Sequence, residues 1–230
     1  MTASGTYTFD PGVGEIFLAA LSMCGIRRTD ITAEHLVDAS FQANLLMGEF
    51  SNLNPNQWFY ETQSVAITAS TAAYSLATRT VAICCAYMET TSGTTTTGRV
   101  LSPLSTQEYA SIPNKAVEGF PNSYWLNLAV STPQITLYPV PDDTYTYTLK
   151  VASFRRGQDI EAPSGETLDV PYRFLDAFTT GLASRLAVNF APERASNLKA
   201  LYDQRFILAA AQDQERVNIY IAPGLDGYFR

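Results

Sequence analysis

Residues 170–191 read VPYRFLDAFTTGLASRLAVNFA, and this stretch decides the fold. Phe174, Phe178, Leu182 and Leu186 recur every fourth residue, which lines them up on one face of a helix. Gly181, Ala183 and Ala187 stand beside that row, so a second helix can approach closely along it. Asp169 followed by Pro171 is a helix start with proline in the first turn, and Ala191–Pro192 breaks the pattern. A longer helix is predicted from Pro192 to Val217, with Leu198, Leu201, Tyr202, Phe206 and Ala209 on one face. Lys199 with Asp203, and Asp213 with Arg216, read as exposed charge pairs on it.

The same period returns near the other end of the chain. Ile16, Phe17, Ala20, Leu21 and Cys24 predict a short helix over 14–25, with Gly25 where a left-handed cap falls. Thr32 or Asp30 caps a second helix whose apolar face runs Leu36, Val37, Phe41, Leu45 and Phe50, ending before Asn54–Pro55. Between the two helical pairs, from Gln57 to Phe154, the texture changes to Thr, Val, Tyr and Ile with frequent turn residues, the composition of paired strands. Val81–Met88 reads as a strand, Ser92–Gly98 as a polar loop and Arg99–Leu104 as the returning strand. Gln134–Tyr138 and Tyr145–Phe154 read as a second pair joined by Pro139–Asp143. A Gly, Pro and acid-rich stretch, 157–169, leads back to helix.

The expected fold is therefore α+β: a four-helix bundle-like α domain with an inserted antiparallel β barrel or sandwich and an extended C-terminal arm. The expected divisions are a helical domain from residues 1–54 and 157–218, a β domain at 55–156 and the arm at 219–230. The arm is apolar and aromatic, yet Pro223, Gly224 and Gly227 forbid a regular helix. So greasy a tail is expected to dock, on its own domain or on a neighbour.

Composition narrows the chemistry. With 230 residues, 46% hydrophobic and 16% charged, the chain can close a core without disulfide or metal. A net charge of -7 opposes any broad basic face for phosphate backbones. Cys24, Cys84 and Cys85 are odd in number, and the vicinal pair is neither a disulfide framework nor a zinc spacing; all three read as buried thiols. No basic segment precedes an apolar run and no stretch approaches eighteen apolar residues, so neither signal peptide nor membrane span is expected.

Catalytic constellations do not emerge. The single histidine, His35, falls within the second helix and reads as a packing or surface residue. Gly12-Val13-Gly14 lacks the strand and third glycine of a nucleotide site and reads as a turn. Glu15, Glu34, Asp38 and Glu49 have no spacing that selects a pair for glycoside hydrolysis, and Asp142–Asp143 reads as a solvated turn. Arg27–Arg28 and Arg155–Arg156 read as solvated loops, and Tyr124, Trp125, Tyr138, Tyr145 and Tyr147 as sheet packing rather than a stacking platform. No catalytic, cofactor-binding or metal-ligating residue is assigned.

Taken as an order of elements, the chain resembles the head-to-tail adaptor, or connector, proteins of short-tailed, podovirus-like bacteriophages. The resemblance spans residues 12–218. It is carried by Gly119-Phe-Pro-Asn-Ser-Tyr-Trp125, then Leu137-Tyr-Pro-Val-Pro-Asp142 and Tyr147-Thr-Leu-Lys-Val151. The helical pair from Val170 to Val217, with Gly181-Leu-Ala183 and Arg185-Leu-Ala187, adds to it. The Ser92–Gly98 segment has no counterpart. The resemblance implies a structural virion protein at the head-tail junction, without enzymatic activity, cofactor or membrane contact. It implies a dodecameric ring beneath the portal that continues the DNA channel and offers a platform to tail nozzle or tail fibre proteins. It also implies a portal-binding arm of Ile219, Tyr220, Ile221, Leu225, Tyr228, Phe229 and Arg230. Two other classes stay open at this stage. One is a tail-associated β module contacting host glycan or fibre; the other is a cell-wall glycoside hydrolase.

Overall fold

A computed structural model describes residues 9–53, 57–92, 94–128, 132–161 and 165–213. In chain order the elements are α1 (Val13–Met23), α2 (Ala33–Leu53), β1 (Tyr60–Ala66), β2 (Ala73–Ser75), β3 (Thr80–Ser92), β4 (Thr95–Val100) and β5 (Ser102–Leu104). Then follow α3 (Thr106–Ser111), β6 (Glu118–Gly119), β7 (Ser123–Asn127), β8 (Gln134–Tyr138), β9 (Val140–Pro141), β10 (Thr146–Arg155), α4 (Tyr172–Phe190) and α5 (Pro192–Gln212). The mixture is α+β, as the sequence predicts.

The four long helices gather around α4, which packs on α1, α2 and α5. Phe174, Phe178, Leu182 and Leu186, the row that announced this helix, are all fully buried. Phe50 of α2 sits where the helices converge, with ring centroids 5.3 Å from Phe206, 5.8 Å from Phe178 and 6.1 Å from Phe174. Small residues set the spacing: a Cβ added at Gly181 would lie 2.9 Å from the Tyr202 ring and 3.1 Å from Leu46. At the end of α1, Gly25 adopts φ +91°, and the Ile26 N–H donates to the Leu21 carbonyl at 3.1 Å, closing the helix as its sequence foretold. Asp169 is not a cap for α4, whose N-cap is Pro171; it pairs with Arg155 instead.

On α2 the structure corrects the sequence reading. Ala39, Ala43, Leu46, Met47 and Phe50 face the core, whereas Val37, Phe41 and Leu45 are 66%, 64% and 47% exposed. The helix carries two apolar rows on opposite sides, and the row containing alanines wins the inside position because it lets backbones approach.

The β strands form two open four-stranded sheets, ordered β1-β10-β3-β4 and β2-β8-β7-β5, and a small parallel pair, β6-β9. Among the described residues no barrel closes. The two larger sheets share one core: Met88, Leu149 and Val151 from the first meet Tyr124, Ile135 and Leu137 from the second. Of the expected alternatives, the sandwich is the form adopted.

Three strand assignments change. Gln134–Tyr138 does not pair with the strand that follows it: β8 lies between β2 and β7, while β10 lies between β1 and β3. The Pro139–Asp143 link therefore crosses between sheets. The threonines read as a loop, Thr95–Thr97 with Gly98, are the start of β4, with Thr90 opposite Thr97 and Thr91 opposite Thr96. The returning strand stops at Val100, and Ser102–Leu104 switches sheets to pair in parallel with β7.

Candidate functional site

Several of the titratable side chains singled out in the sequence are held in structural contacts. His35 sits at the start of α2, where its Nδ1 accepts the Thr32 backbone N–H at 3.0 Å and its ring meets Phe190 edge-on at 4.9 Å. That is a capping and packing role. Glu49 bonds Arg185 and accepts the Tyr202 hydroxyl at 3.2 Å. Burial and this carboxylate together push the Tyr202 phenol well above its usual range, so it stays a donor. Asp142 accepts the Tyr147 hydroxyl at 2.5 Å, which holds its carboxyl below the usual carboxylate range, and it also accepts the Thr144 N–H. This is a turn clasp rather than a free acid beside Asp143.

The arginine doublet 155–156 is ion-paired rather than simply solvated: Arg155 clasps Asp169 with both terminal guanidinium nitrogens, and Arg156 meets Asp159 at 3.0 Å. Asp213 pairs with Arg173 at the start of α4. Its expected partner Arg216 lies outside the described residues. Lys199 and Asp203 form their predicted pair at 2.7 Å. Among the aromatics, Tyr124 is buried, and Trp125 stacks on Tyr109 with ring centroids 4.8 Å apart. The Trp125 indole N–H donates to Thr106 at 3.2 Å, so one face and the polar edge of the best platform ring are taken by α3.

Of the thiols, only Cys24 is buried, donating to the Ala183 carbonyl at 3.4 Å. Cys84 and Cys85 are exposed, against expectation. The pairing of β3 with β10 skips from Ile83↔Ser153 to Cys85↔Ala152, leaving Cys84 as the extra residue of a bulge. Strand alternation therefore fails there, and both thiols face water.

Exposed apolar surface is what remains. The outward row of α2 is joined by Ile207 and Leu208 on α5, both largely exposed. Between α1 and α4 runs a groove of about 650 Å³ with Phe9 and Tyr172 at its rim. The predicted arm residues, Ile219, Tyr220, Ile221, Leu225, Tyr228, Phe229 and Arg230, lie outside the described residues. Sequence reasoning overlooked α3, although Ser105 and Glu108 spell its capping box. It also overlooked the Glu49–Arg185–Tyr202 cluster, for which residues so far apart in the chain give no local signal.

Among the described residues no group of three His, Cys, Asp or Glu side chains is placed to hold a metal, and no helix is long and apolar enough to cross a membrane. No curated protein matches the chain. The SU10 adaptor protein family does, over residues 7–224, taking in all the helices and both sheets. That match, over nearly the whole chain, makes it a member of the SU10 adaptor protein family, the structural adaptors of bacteriophage.

Proposed function

We propose that this protein forms the head-to-tail adaptor ring of a short-tailed phage, a dodecamer that docks on the portal, continues the DNA channel and carries nozzle or fibre proteins below. In this reading its place is the virion's head-tail junction, and its role is assembly rather than catalysis. The observation that carries the ring is the outward row of α2, Val37, Phe41 and Leu45, set opposite the row that faces the core. A contiguous apolar face on the helical bundle is a contact surface in waiting, and a second, unlike apolar patch at Ile207 and Leu208 suits the two-sided contact of a closed ring. The net charge of -7 suits a lumen that DNA slides through without sticking.

Residues 1–54 and 157–218 form the ring-building domain in this account, residues 55–156 a β domain available to tail proteins, and residues 219–230 the arm that reaches the portal. Ile219, Tyr220, Ile221, Leu225, Tyr228, Phe229 and Arg230 would be bound there as an extended segment, held by backbone hydrogen bonds and side-chain pockets. The test is mass determination of the purified protein, alone and mixed with cognate portal. A stoichiometric ring on portal is the expected result; a 25.2 kDa monomer persisting beside portal overturns the reading. Removing 219–230 should leave a folded protein that no longer binds portal.

A further inference from the structure

We propose that the groove between α1 and α4 is the resting site of this chain's own C-terminal segment, with Ile219, Tyr220 and Ile221 seated in it before any partner is met. The groove has an apolar floor, with Ile16 and Leu18 on α1 and Leu175 on α4, and a charged margin of Glu15, Arg28, Arg173 and Asp176. At its rim Phe9 and Tyr172 meet edge-on, ring centroids 6.2 Å apart, yet they are 69% and 73% exposed. Two aromatic rings left this open invite apolar cover.

The position of the chain's end names the occupant. Asp213, itself buried, is clasped by Arg173, and Arg173 also lines the groove. Asp213, the last described residue, therefore lies at the groove's own edge. Five residues, 214–218, separate Asp213 from Ile219 and can span up to roughly 17 Å. The wall that α4 contributes, from Tyr172 to Thr179, is only about 10 Å long, so reach sets no limit. Chemistry agrees: Ile219-Tyr220-Ile221 supplies three adjacent apolar side chains. Residues 1–8, which precede Phe9 in the sequence, are mostly Thr, Ser, Ala and Gly, with Met1 and Tyr7 the only large side chains.

The proposal concerns the free subunit and needs no portal, so it stands or falls apart from the adaptor reading. Its consequence is that any partner of the arm competes with the groove, which keeps a greasy segment covered until that partner arrives.

Hydrogen exchange on the full chain, free in solution, tests it. The amides of 219–222 should exchange more slowly than an unstructured chain, to the same extent at high and low protein concentration. Phe9→Ser combined with Tyr172→Ser changes two exposed rings, and should speed their exchange by about tenfold or more while core amides of α4 keep their protection. The reciprocal pair, Ile219→Ser with Ile221→Ser, leaves the groove residues unchanged and should give the same loss across the segment. Exchange at the unstructured rate in the parent chain overturns the proposal. So does protection that neither pair alters, and so does protection lost on dilution, which would put a second copy's arm in the groove.

Discussion

Gly48 and Gly181 are both helical glycines, and their surroundings give alanine opposite effects at the two sites. At Gly181 the added Cβ meets the Tyr202 ring at 2.9 Å. That ring cannot swing aside, being hydrogen-bonded to Glu49 and stacked parallel to Phe50. Overpacking costs about 1–3 kcal/mol, against a gain in helix propensity of about 1 kcal/mol. Gly181→Ala should therefore lower the denaturant midpoint. Gly48→Ala meets nothing within 4 Å and should raise it, by up to about 1 kcal/mol. The cysteines make a second residue-scale prediction. A thiol reagent should label two of three cysteines in the native protein, Cys84 and Cys85, and reach Cys24 only on unfolding. Burial and the neighbouring Cys85 raise the Cys84 thiol, so its labelling should accelerate as pH climbs past the ordinary thiol range. The sequence shows that the pair is vicinal but not that a bulge turns both thiols outward, because a bulge is a relation between two strands.

Elements were legible where one helix carried one apolar row. α4 has one row of large apolar side chains stepping by four, which places the helix in the sequence, while its small residues Ala177, Gly181, Ala183 and Ala187 are buried too because three other helices pack around it. α2 has two rows, and choosing between them needs knowledge of what α4 presents, so the larger side chains misled. Strands were legible as segments but not as partners. β8 and β10 are neighbours in sequence with a turn-rich link, the usual mark of a hairpin, yet the link pairs as β9 with β6 and the chain passes from one sheet to the other. The short helix α3 was readable and overlooked. Its Ser105 side chain accepts the Glu108 N–H at 3.2 Å, and Glu108 returns to the Ser105 N–H at 2.7 Å. That return bond holds the Glu108 carboxyl below its usual range. A depressed carboxylate contributes stability that is present above its unfolded value and lost as pH falls through the folded one. Measured against the intrinsic rate of an unstructured chain, which itself rises with pH, the protection of α3 amides should fall as pH drops through and below the ordinary carboxylate range and hold as pH is raised. Ser105→Ala should loosen α3 at neutral pH by about 1 kcal/mol while exchange in α4 is unchanged.

At the scale of the whole molecule, the segments of sequence that form the two cores could be read, but the surface left over after folding could not. Exposed apolar area is defined only once every internal contact has been made. On α2 that remainder is Val37, Phe41 and Leu45, with Phe41 at the centre of the row. Phe41→Asp separates its two possible roles cleanly. In the isolated subunit the ring is mostly in water, so a carboxylate there should change the unfolding midpoint little, by no more than about 0.5 kcal/mol in stability. In a ring the same position is covered by the neighbouring copy, and an unpaired charge buried at every subunit contact costs several kcal/mol each time. A dodecamer multiplies that penalty around the circle, so the variant should melt like the parent protein yet form no closed ring on portal. Thermal unfolding paired with native mass spectrometry reads both halves. A ring of parental stoichiometry built from Phe41→Asp subunits would show that the outward face of α2 is not where copies meet, and would overturn the two-sided contact proposed between it and the α5 patch.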